Sequence, residues 1–296
     1  MPSVVLSVPG SEAAAEKLRT SLDAEAGTAF VRHFPDGEIY VRIDSPVAGR
    51  DVVLVCGLDR PADKILPLLF LAATAKDLGA RRVGLVSPYL SFMRQDSRFH
   101  PGEGITSTYF AGLVSGAVDW LVTVDPHLHR WPSLDAIYKI PTEVVHAAPA
   151  IAGWVRAHVT RPLLIGPDAE SEQWVAAVAG LVDAPYLVLE KTRRGDRDVS
   201  VTAPDLTRYD GHTPVLVDDI ISTGRTMTET LHHLRGRGAL EPICVAVHAV
   251  FADRAHDELL AAGAARVVTC NTIEHPSNRI CVVDAIADGV RARLAA

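Results

Sequence analysis

The segment PVLVDDIISTGRTM, residues 214–227, constrains the fold of this chain more than any other. Apolar residues lead into two adjacent acids, Asp218 and Asp219, and a short glycine- and hydroxyl-rich stretch precedes a helical pattern with Leu231 and Leu234 on one face. This order predicts a buried parallel strand, a tight turn and the N-terminus of a helix. Further strands and helices alternate along the chain, which predicts an α/β protein with parallel sheets.

The turn after the two acids predicts a phosphate site. Small residues with hydroxyl groups present backbone N–H groups and side-chain donors to an anion, and the helix dipole adds to the attraction. Asp218 and Asp219 would repel phosphate, whereas the vicinal hydroxyls of a sugar suit them. A five-carbon sugar phosphate satisfies both halves; the alternative is an ordinary turn with the acids solvated at a strand end. The residues predicted to hold the phosphate are Ser222, Thr223, Gly224, Arg225 and Thr226.

This stretch resembles the phosphoribosyl pyrophosphate (PRPP) motif of type I phosphoribosyltransferases and of ribose-phosphate pyrophosphokinases. The motif alone does not separate the two families. A second buried strand that ends in an acid, LVTVDPH at residues 121–127, indicates that one α/β unit occurs twice. The resemblance then implies two tandem phosphoribosyltransferase-type I domains, each a mainly parallel sheet flanked by helices, at residues 1–143 and 144–296.

Composition excludes several classes of protein. The 296 residues, 48% of them hydrophobic, suffice for two cores. No signal sequence is present and no apolar run approaches the ~20 residues that span a bilayer, so we expect a cytoplasmic protein without membrane contacts. The net charge of -7 argues against nucleic-acid binding. The four cysteines lie in apolar runs without C-x-x-C spacing, which predicts buried free thiols.

Two segments of the N-terminal half resemble nucleotide-binding segments of the pyrophosphokinases. From its turn residues, FPDGE at 34–38 is a plain hairpin tip, but it resembles the F-S-D-G-E that holds adenine in a neighbouring subunit's site. The long segment 87–104 suits a functional loop, or alternatively a solvated one. Its R-Q-D sequence resembles the one that contacts ATP. The ATP contacts implied by resemblance are Phe34, Asp36, Glu38, Arg94, Gln95, Asp96 and His127.

The resemblance implies two magnesium ligands, His127 and Asp168. His127 and His129 alternate on an extended segment, so their side chains point the same way, although a structural role is equally open and two ligands are too few for tight zinc. By resemblance to the family's D-L-H segment, His127 contacts ATP and Mg²⁺; the D-P-H version here is closer to the archaeal-type branch. Asp168 suits a helix cap, and its resemblance to an S-P-D segment implies a magnesium or ribose-phosphate contact.

The charged run at residues 190–198 is, from composition, a solvated hairpin tip. Its Lys191-x-Arg193 nevertheless matches the K-x-R flexible loop of the pyrophosphokinases, in which both cations act on the transferring diphosphoryl group. Mobile cations suit phosphoryl transfer, because charge on the equatorial oxygens must be stabilised and water excluded. A C-terminal CNTI at 270–273 resembles the family's T-N-T-I, so the resemblance covers nearly the whole chain.

Taken together, the resemblance implies a ribose-phosphate pyrophosphokinase that makes PRPP and AMP from ATP and ribose 5-phosphate with Mg²⁺, as a homodimer or higher homo-oligomer. A phosphoribosyltransferase that uses PRPP would leave segments 34–38, 94–96 and 191–193 without a role. A non-catalytic, regulatory relative is expected to have lost Lys191, Arg193 or His127, and all three are present.

Three departures from the family pattern concern sugar and nucleotide choice. Ser222 stands where many pyrophosphokinases have Asp, and Arg225 where they often have Gly. Phe99 stands where many carry an acid after R-Q-D. Ser222 can still donate to phosphate, whereas the acid it replaces would accept from a sugar hydroxyl.

Overall fold

The computed structural model describes residues 3–194, 198–202, 207–235 and 241–296. The chain forms two compact units, Met1–His146 with Val283–Ala296, and Ala147–Val282. Each unit contains a six-stranded sheet in which all described strand pairs are parallel. The predicted α/β class is therefore confirmed.

The first unit begins with a strand and a helix and carries one hairpin outside its main sheet. Its elements before the second unit are β1 (Val4–Ser7), α1 (Glu12–Leu22), β2 (Glu25–Ala26), β3 (Ala29–His33), β4 (Ile39–Ile43), β5 (Asp51–Val55), α2 (Ala62–Asp77), β6 (Arg82–Ser87), α3 (Thr106–Ala117), β7 (Trp120–Val124) and β8 (Thr142–Val145). The sheet order is β2-β1-β5-β6-β7-β8, and β3 pairs with β4 alone as an antiparallel hairpin.

The central strands of this sheet are buried on both faces, as the continuous apolar runs predict. All five residues of β5 and all five of β7 are buried. Gly84 of β6 pairs with Trp120 of β7, and a Cβ at Gly84 would overlap the indole ring. Glycine is therefore required where the large side chain lies across the neighbouring strand.

The second unit repeats the alternation. Its elements are α4 (Ala148–His158), β9 (Pro162–Gly166), α5 (Glu172–Val182), β10 (Tyr186–Val188), β11 (Glu190–Arg194), β12 (Asp198–Thr202), β13 (Thr213–Ile220), α6 (Arg225–Arg235), β14 (Ile243–His248), α7 (Ala255–Ala262), β15 (Arg266–Cys270) and β16 (Asn278–Ile280). The sheet order is β10-β9-β13-β14-β15-β16, and β11 with β12 forms a separate antiparallel ribbon. The hydrophobic core of this unit includes Leu216 of β13, Leu231 of α6 and Leu259 of α7.

The last helix, α8 (Val283–Ala295), packs on α1, β7 and β8 of the first unit. Gly289 brings it close to the sheet, because a Cβ there would lie 3.2 Å from Val122 Cγ1. Arg82 donates to the carbonyl of Leu294 at 2.8 Å. The sequence-based division at 143/144 assigned this helix to the second half. Periodicity identifies an apolar helix face but not the sheet that the face covers.

The prediction of buried free thiols holds for three of the four cysteines. Cys56, Cys244 and Cys270 are buried free thiols, whereas Cys281 is exposed, so the prediction is wrong for Cys281. Cys281 follows the edge strand β16, where an apolar run is not enclosed on both sides. Among the described residues, no helix is both long enough and apolar enough to cross a bilayer.

Candidate active site

Three carboxylates converge at one edge of the second unit's sheet. Strands β9 and β13 are parallel neighbours, so their carboxyl ends meet there. Asp168 follows β9, and Asp218 and Asp219 lie at the end of β13. Burial and the negative charges of Asp219 and Asp168 raise the pKa of Asp218 well above its usual value. The structure thus brings together three predicted site residues, in the crevice where open α/β sheets bind ligands.

The two adjacent acids of β13 differ in environment. Asp219 is 4% exposed, and its Oδ1 accepts the N–H of Ile220 at 2.7 Å. Asp218 is half-buried, and its Oδ1 accepts the N–H of Asp219 at 3.0 Å. Although neighbouring residues of a strand point to opposite faces, the two carboxylates at the end of β13 remain close enough for Asp219 to raise the pKa of Asp218.

The predicted turn follows β13 and leads directly into α6. Gly224 has φ +66°, a conformation that favours glycine, and its carbonyl accepts the N–H of Thr228 at 2.8 Å. Arg225 and Thr226 begin α6, where the first N–H groups have no carbonyl partner within the helix. Thr223 and Arg225 are exposed, and Ser222 is half-buried. The strand, turn and helix therefore form as the sequence predicts.

Asp168 is also the N-cap of a short 3-10 helix, Ala169–Ser171. Its N–H donates to Ser171 Oγ at 3.4 Å, and that hydroxyl donates to the Asp168 carbonyl at 2.6 Å. The capping interpretation therefore holds for the backbone. It is compatible with a site role, because the half-buried carboxyl group is close enough to Asp218 to raise its pKa.

Lys191 and Arg193 lie in β11, paired with Val201 and Val199 of β12. Residues 195–197 of the predicted charged loop lie outside the described residues. The roles of Lys191 and Arg193 stay predictions.

In the first unit, the R-Q-D segment is held by a hydrogen bond between Asp96 and Arg130. Asp96 is 5% exposed, and its Oδ1 accepts a hydrogen bond from Arg130 Nη1 at 2.8 Å. The Arg130 guanidinium also lies 5.1 Å from the centre of the Phe99 ring. Arg94 is exposed and Gln95 half-buried. The carboxylate of Asp96 is thus occupied by an internal partner, while Arg94 and Gln95 reach the surface.

His127 and His129 face the same side, as their alternation predicts, with ring centres 3.9 Å apart. Two residues before His127, the buried Asp125 has φ +31° and binds His146 Nδ1 at 2.8 Å. His146 follows β8, the parallel neighbour of β7, and its side chain is 73% exposed. Neither His146 nor Arg130 lies in a motif that assigned it a role. The signal for His146 was a polar residue directly after a strand.

Residues 34–38 form the predicted hairpin tip between β3 and β4. Phe34 N–H donates to the Glu38 carbonyl at 2.7 Å, and Asp36 Oδ1 accepts the Glu38 N–H at 3.1 Å. All five residues are exposed. The Phe34 ring has the Arg32 guanidinium 4.3 Å from its centre. The tip therefore exposes an aromatic ring and two carboxylates at the surface of the first unit.

In the part of the chain that the structure describes, no group of three or more His, Cys, Asp or Glu side chains is arranged to hold a metal ion. Magnesium is commonly held by one or two carboxylates together with substrate phosphates, so a complete protein cage is not required.

Two family models match the chain in succession. The N-terminal domain of ribose phosphate pyrophosphokinase matches residues 3–117, and the phosphoribosyl transferase domain matches residues 133–283. The architecture and the strand-turn site therefore define a protein of the phosphoribosyltransferase class.

Relatives named ribose-phosphate pyrophosphokinase match this chain over most of its length and most of theirs. The one from Sulfolobus acidocaldarius is 35% identical over 85% of this chain and 86% of its own length. That from Methanopyrus kandleri is 32% identical over 97% of this chain and 98% of its own. The crystal structure of phosphoribosylpyrophosphate synthetase from Mycobacterium smegmatis superimposes with a TM-score of 0.87 at 25% identity, covering 99% of this chain and 98% of that one. The chain belongs to the ribose-phosphate pyrophosphokinase family.

Proposed function

We propose that this chain is a ribose-phosphate diphosphokinase, which transfers the diphosphoryl group of ATP to the anomeric hydroxyl of ribose 5-phosphate and gives PRPP and AMP. The observation that carries the proposal is the edge of the second sheet, where carboxylates that suit sugar hydroxyls adjoin a turn that suits phosphate. Membership of the family supports the same reaction.

The sugar phosphate is proposed to bind with its 5-phosphate at Ser222, Thr223, Gly224, Arg225 and Thr226. Asp218 accepts hydrogen bonds from the ring hydroxyls. Asp219 is proposed to accept from the ring hydroxyls too, and it also holds the strand end, because its Oδ1 accepts the Ile220 N–H. This orientation leaves the anomeric carbon away from the turn, which presents its hydroxyl to the β-phosphorus of ATP. Holding both reactants in this geometry lowers the barrier, because little orientational freedom remains to be lost.

Magnesium is proposed to bind beside the carboxylates at the edge of the second unit's sheet. Burial, followed by the negative charges of Asp219 and Asp168, raises the pKa of Asp218, and carboxylate oxygens are ligands that Mg²⁺ prefers. Asp168 is the residue proposed to hold it. His127, the other predicted ligand, suits a phosphate oxygen better, because imidazole is not a favoured magnesium ligand. Bound Mg²⁺ would supply positive charge to the phosphate oxygens.

Product analysis tests the reaction. Purified protein is incubated with ATP, ribose 5-phosphate and Mg²⁺, and the nucleotides are separated. AMP in equal amount to PRPP supports the proposal. An ordinary kinase would attack the γ-phosphorus and release ADP, a phosphoribosyltransferase would need an added nucleobase, and a regulatory relative would show no turnover.

We also propose that the hairpin tip completes the adenine site of a second copy, so that the active form is at least a homodimer. The exposure of Phe34, Asp36 and Glu38 at the tip supports this, because an aromatic ring in water gains by stacking on a base. Chains carrying Phe34→Ala are mixed with chains carrying Lys191→Ala. Recovery of activity is expected, since one mixed site then has both segments intact. Mixed dimers without activity contradict the shared site.

A further inference from the structure

The sugar-phosphate turn is attached to the neighbouring strand by backbone hydrogen bonds. The N–H of Ile221 donates to the carbonyl of His248 at 3.1 Å. The N–H of Phe251 donates to the Ile221 carbonyl at 2.9 Å, and that of Ala252 to the Ser222 carbonyl at 3.0 Å. The backbone position of Ser222, the first residue of the turn, is therefore set by the segment that follows β14.

His248 is the last residue of β14 and is 1% exposed. Its Nδ1 lies 2.9 Å from Thr272 Oγ1, and the hydroxyl of Thr272 donates to the carbonyl of Val247 at 2.8 Å. A threonine has one hydroxyl proton, so towards the imidazole its oxygen accepts and Nδ1 donates. Thr272 is 3% exposed and follows β15. This bond therefore ties together the ends of β14 and β15, next to the end of β13.

We propose that His248 and Thr272 are positioning residues for the sugar-phosphate turn. The hydroxyl of Thr272 fixes the imidazole, and the fixed imidazole holds the His248 backbone where its carbonyl receives the Ile221 N–H. Both residues are buried, and buried hydrogen bonds are directional and costly to leave unmade. The turn can then keep its phosphate donors in place before the ligand arrives, which is how preorganisation raises affinity. The inference rests on the proposed ribose 5-phosphate site.

An ordinary core role makes a different prediction from a positioning role. A histidine that only fills the interior would, when replaced, lower stability and impair both substrates alike. A positioning histidine affects the ligand of the turn selectively, and the effect depends on which ring nitrogen is retained. Two matched pairs of variants separate these cases.

His248→Asn keeps an amide nitrogen near the position of Nδ1, whereas His248→Gln places it near Nε2. Thr272→Ser keeps the hydroxyl, and Thr272→Val removes it at nearly constant shape. We expect His248→Gln and Thr272→Val each to weaken ribose 5-phosphate binding about three- to tenfold, the range expected for one lost hydrogen bond. His248→Asn and Thr272→Ser should stay within about twofold of wild type, and the KM for ATP should not change in any of them.

The readouts are the Kd of ribose 5-phosphate from titration calorimetry, the two KM values, and the Tm of each variant. The double variant His248→Gln, Thr272→Val should bind ribose 5-phosphate no more weakly than the weaker-binding single variant, because both substitutions remove the same hydrogen bond. Equal losses for His248→Asn and His248→Gln, or a parallel rise in both KM values, overturn the positioning role. So does unchanged ribose 5-phosphate affinity in all variants of an enzyme that makes PRPP.

The same experiment distinguishes this inference from the proposed function. A wild-type protein that binds ribose 5-phosphate but forms no PRPP contradicts the proposed reaction alone, and the variants still test positioning through Kd. A wild-type protein that binds no ribose 5-phosphate overturns both.

Discussion

Replacing Asp218 by Asn should stabilise the second unit and weaken ribose 5-phosphate binding at the same time. Burial, followed by the charges of Asp219 and Asp168, raises the pKa of Asp218 well above its usual value. A carboxyl group with a raised pKa favours folding only while it is protonated. Its contribution is complete below the unfolded pKa of about 3.9 and is lost as the pH rises through the folded pKa. Asparagine keeps the shape of the side chain and removes the charge.

The two effects have opposite signs and different sizes. Relief of repulsion at a site of this kind adds about 1 kcal/mol to the free energy of unfolding. For a unit of this size, that raises Tm by about 2–4 °C. The variant loses one charge-assisted hydrogen bond to a sugar hydroxyl, ~1.5–3 kcal/mol, which weakens ribose 5-phosphate binding by about 10- to 150-fold.

Scanning calorimetry across a pH series and titration calorimetry at neutral pH measure the two quantities. The Tm difference between Asp218→Asn and wild type should widen as the pH rises, since only the wild type loses a proton at this position. Glu241→Gln, at an exposed carboxylate of the same unit, is the matched control and should change neither quantity. A variant that melts at or below the wild-type Tm at every pH, or that binds ribose 5-phosphate normally, refutes the reasoning.

Three further outcomes are expected. Lys191→Ala should lower kcat by on the order of 10²-fold or more with small changes in KM, because mobile cations stabilise the transition state. A raised KM with near-normal kcat would contradict a role of Lys191 in the transition state. Arg130→Met should raise the KM for ATP about three- to tenfold while leaving that for ribose 5-phosphate unchanged, since buried Asp96 loses its 2.8 Å partner. Steady-state kinetics measure both KM values, and an equal rise in the two would count against this role. Asp51→Asn should cost about 1–3 kcal/mol in urea unfolding, because Arg81 and Arg82 bind this buried carboxylate. Burial raises the pKa of Asp51, but those hydrogen bonds outweigh it and the pKa is lowered. The difference from wild type should therefore begin to shrink as the pH falls towards the unfolded pKa of about 3.9 and vanish once the pH is below the lowered folded pKa; a difference that does not shrink in acid excludes the ion pairs as its source.

Local patterns predicted the features that depend on near neighbours in sequence. The apolar run before Asp218 became β13, and the glycine- and hydroxyl-rich stretch after it became the turn before α6. The Pro-Asp-Gly segment became a hairpin tip with Gly37 at φ +94°. In each case one short segment contains both the signal and the partners that satisfy its backbone.

Contacts between distant segments were not predictable from those patterns. Asp96 binds Arg130, 34 residues away, and Asp125 binds His146, 21 residues away. No periodicity reports which loops meet at a sheet edge. Asp96 is an example: the resemblance implies an ATP contact, which stays a prediction, and nothing in the sequence indicates that its buried carboxylate binds the exposed Arg130. Periodicity also does not report which of the two sheets a helix covers, so the division at 143/144 grouped α8 with the second half, whereas the helix packs on the first unit.

The position of α8 bears on how the chain is made. Residues of the second unit form one continuous stretch, Ala147–Val282, whereas the first unit needs Val283–Ala296 as well. Multidomain chains commonly fold from the N-terminus as they leave the ribosome. Here the sheet of the first unit is synthesised before α8, which follows the second unit in the chain, and until α8 is made the apolar surface around Val122 and Val145, which Gly289 approaches, is uncovered. The second unit, as one continuous stretch, can therefore finish folding before the first, whose apolar surface stays exposed until α8 is made.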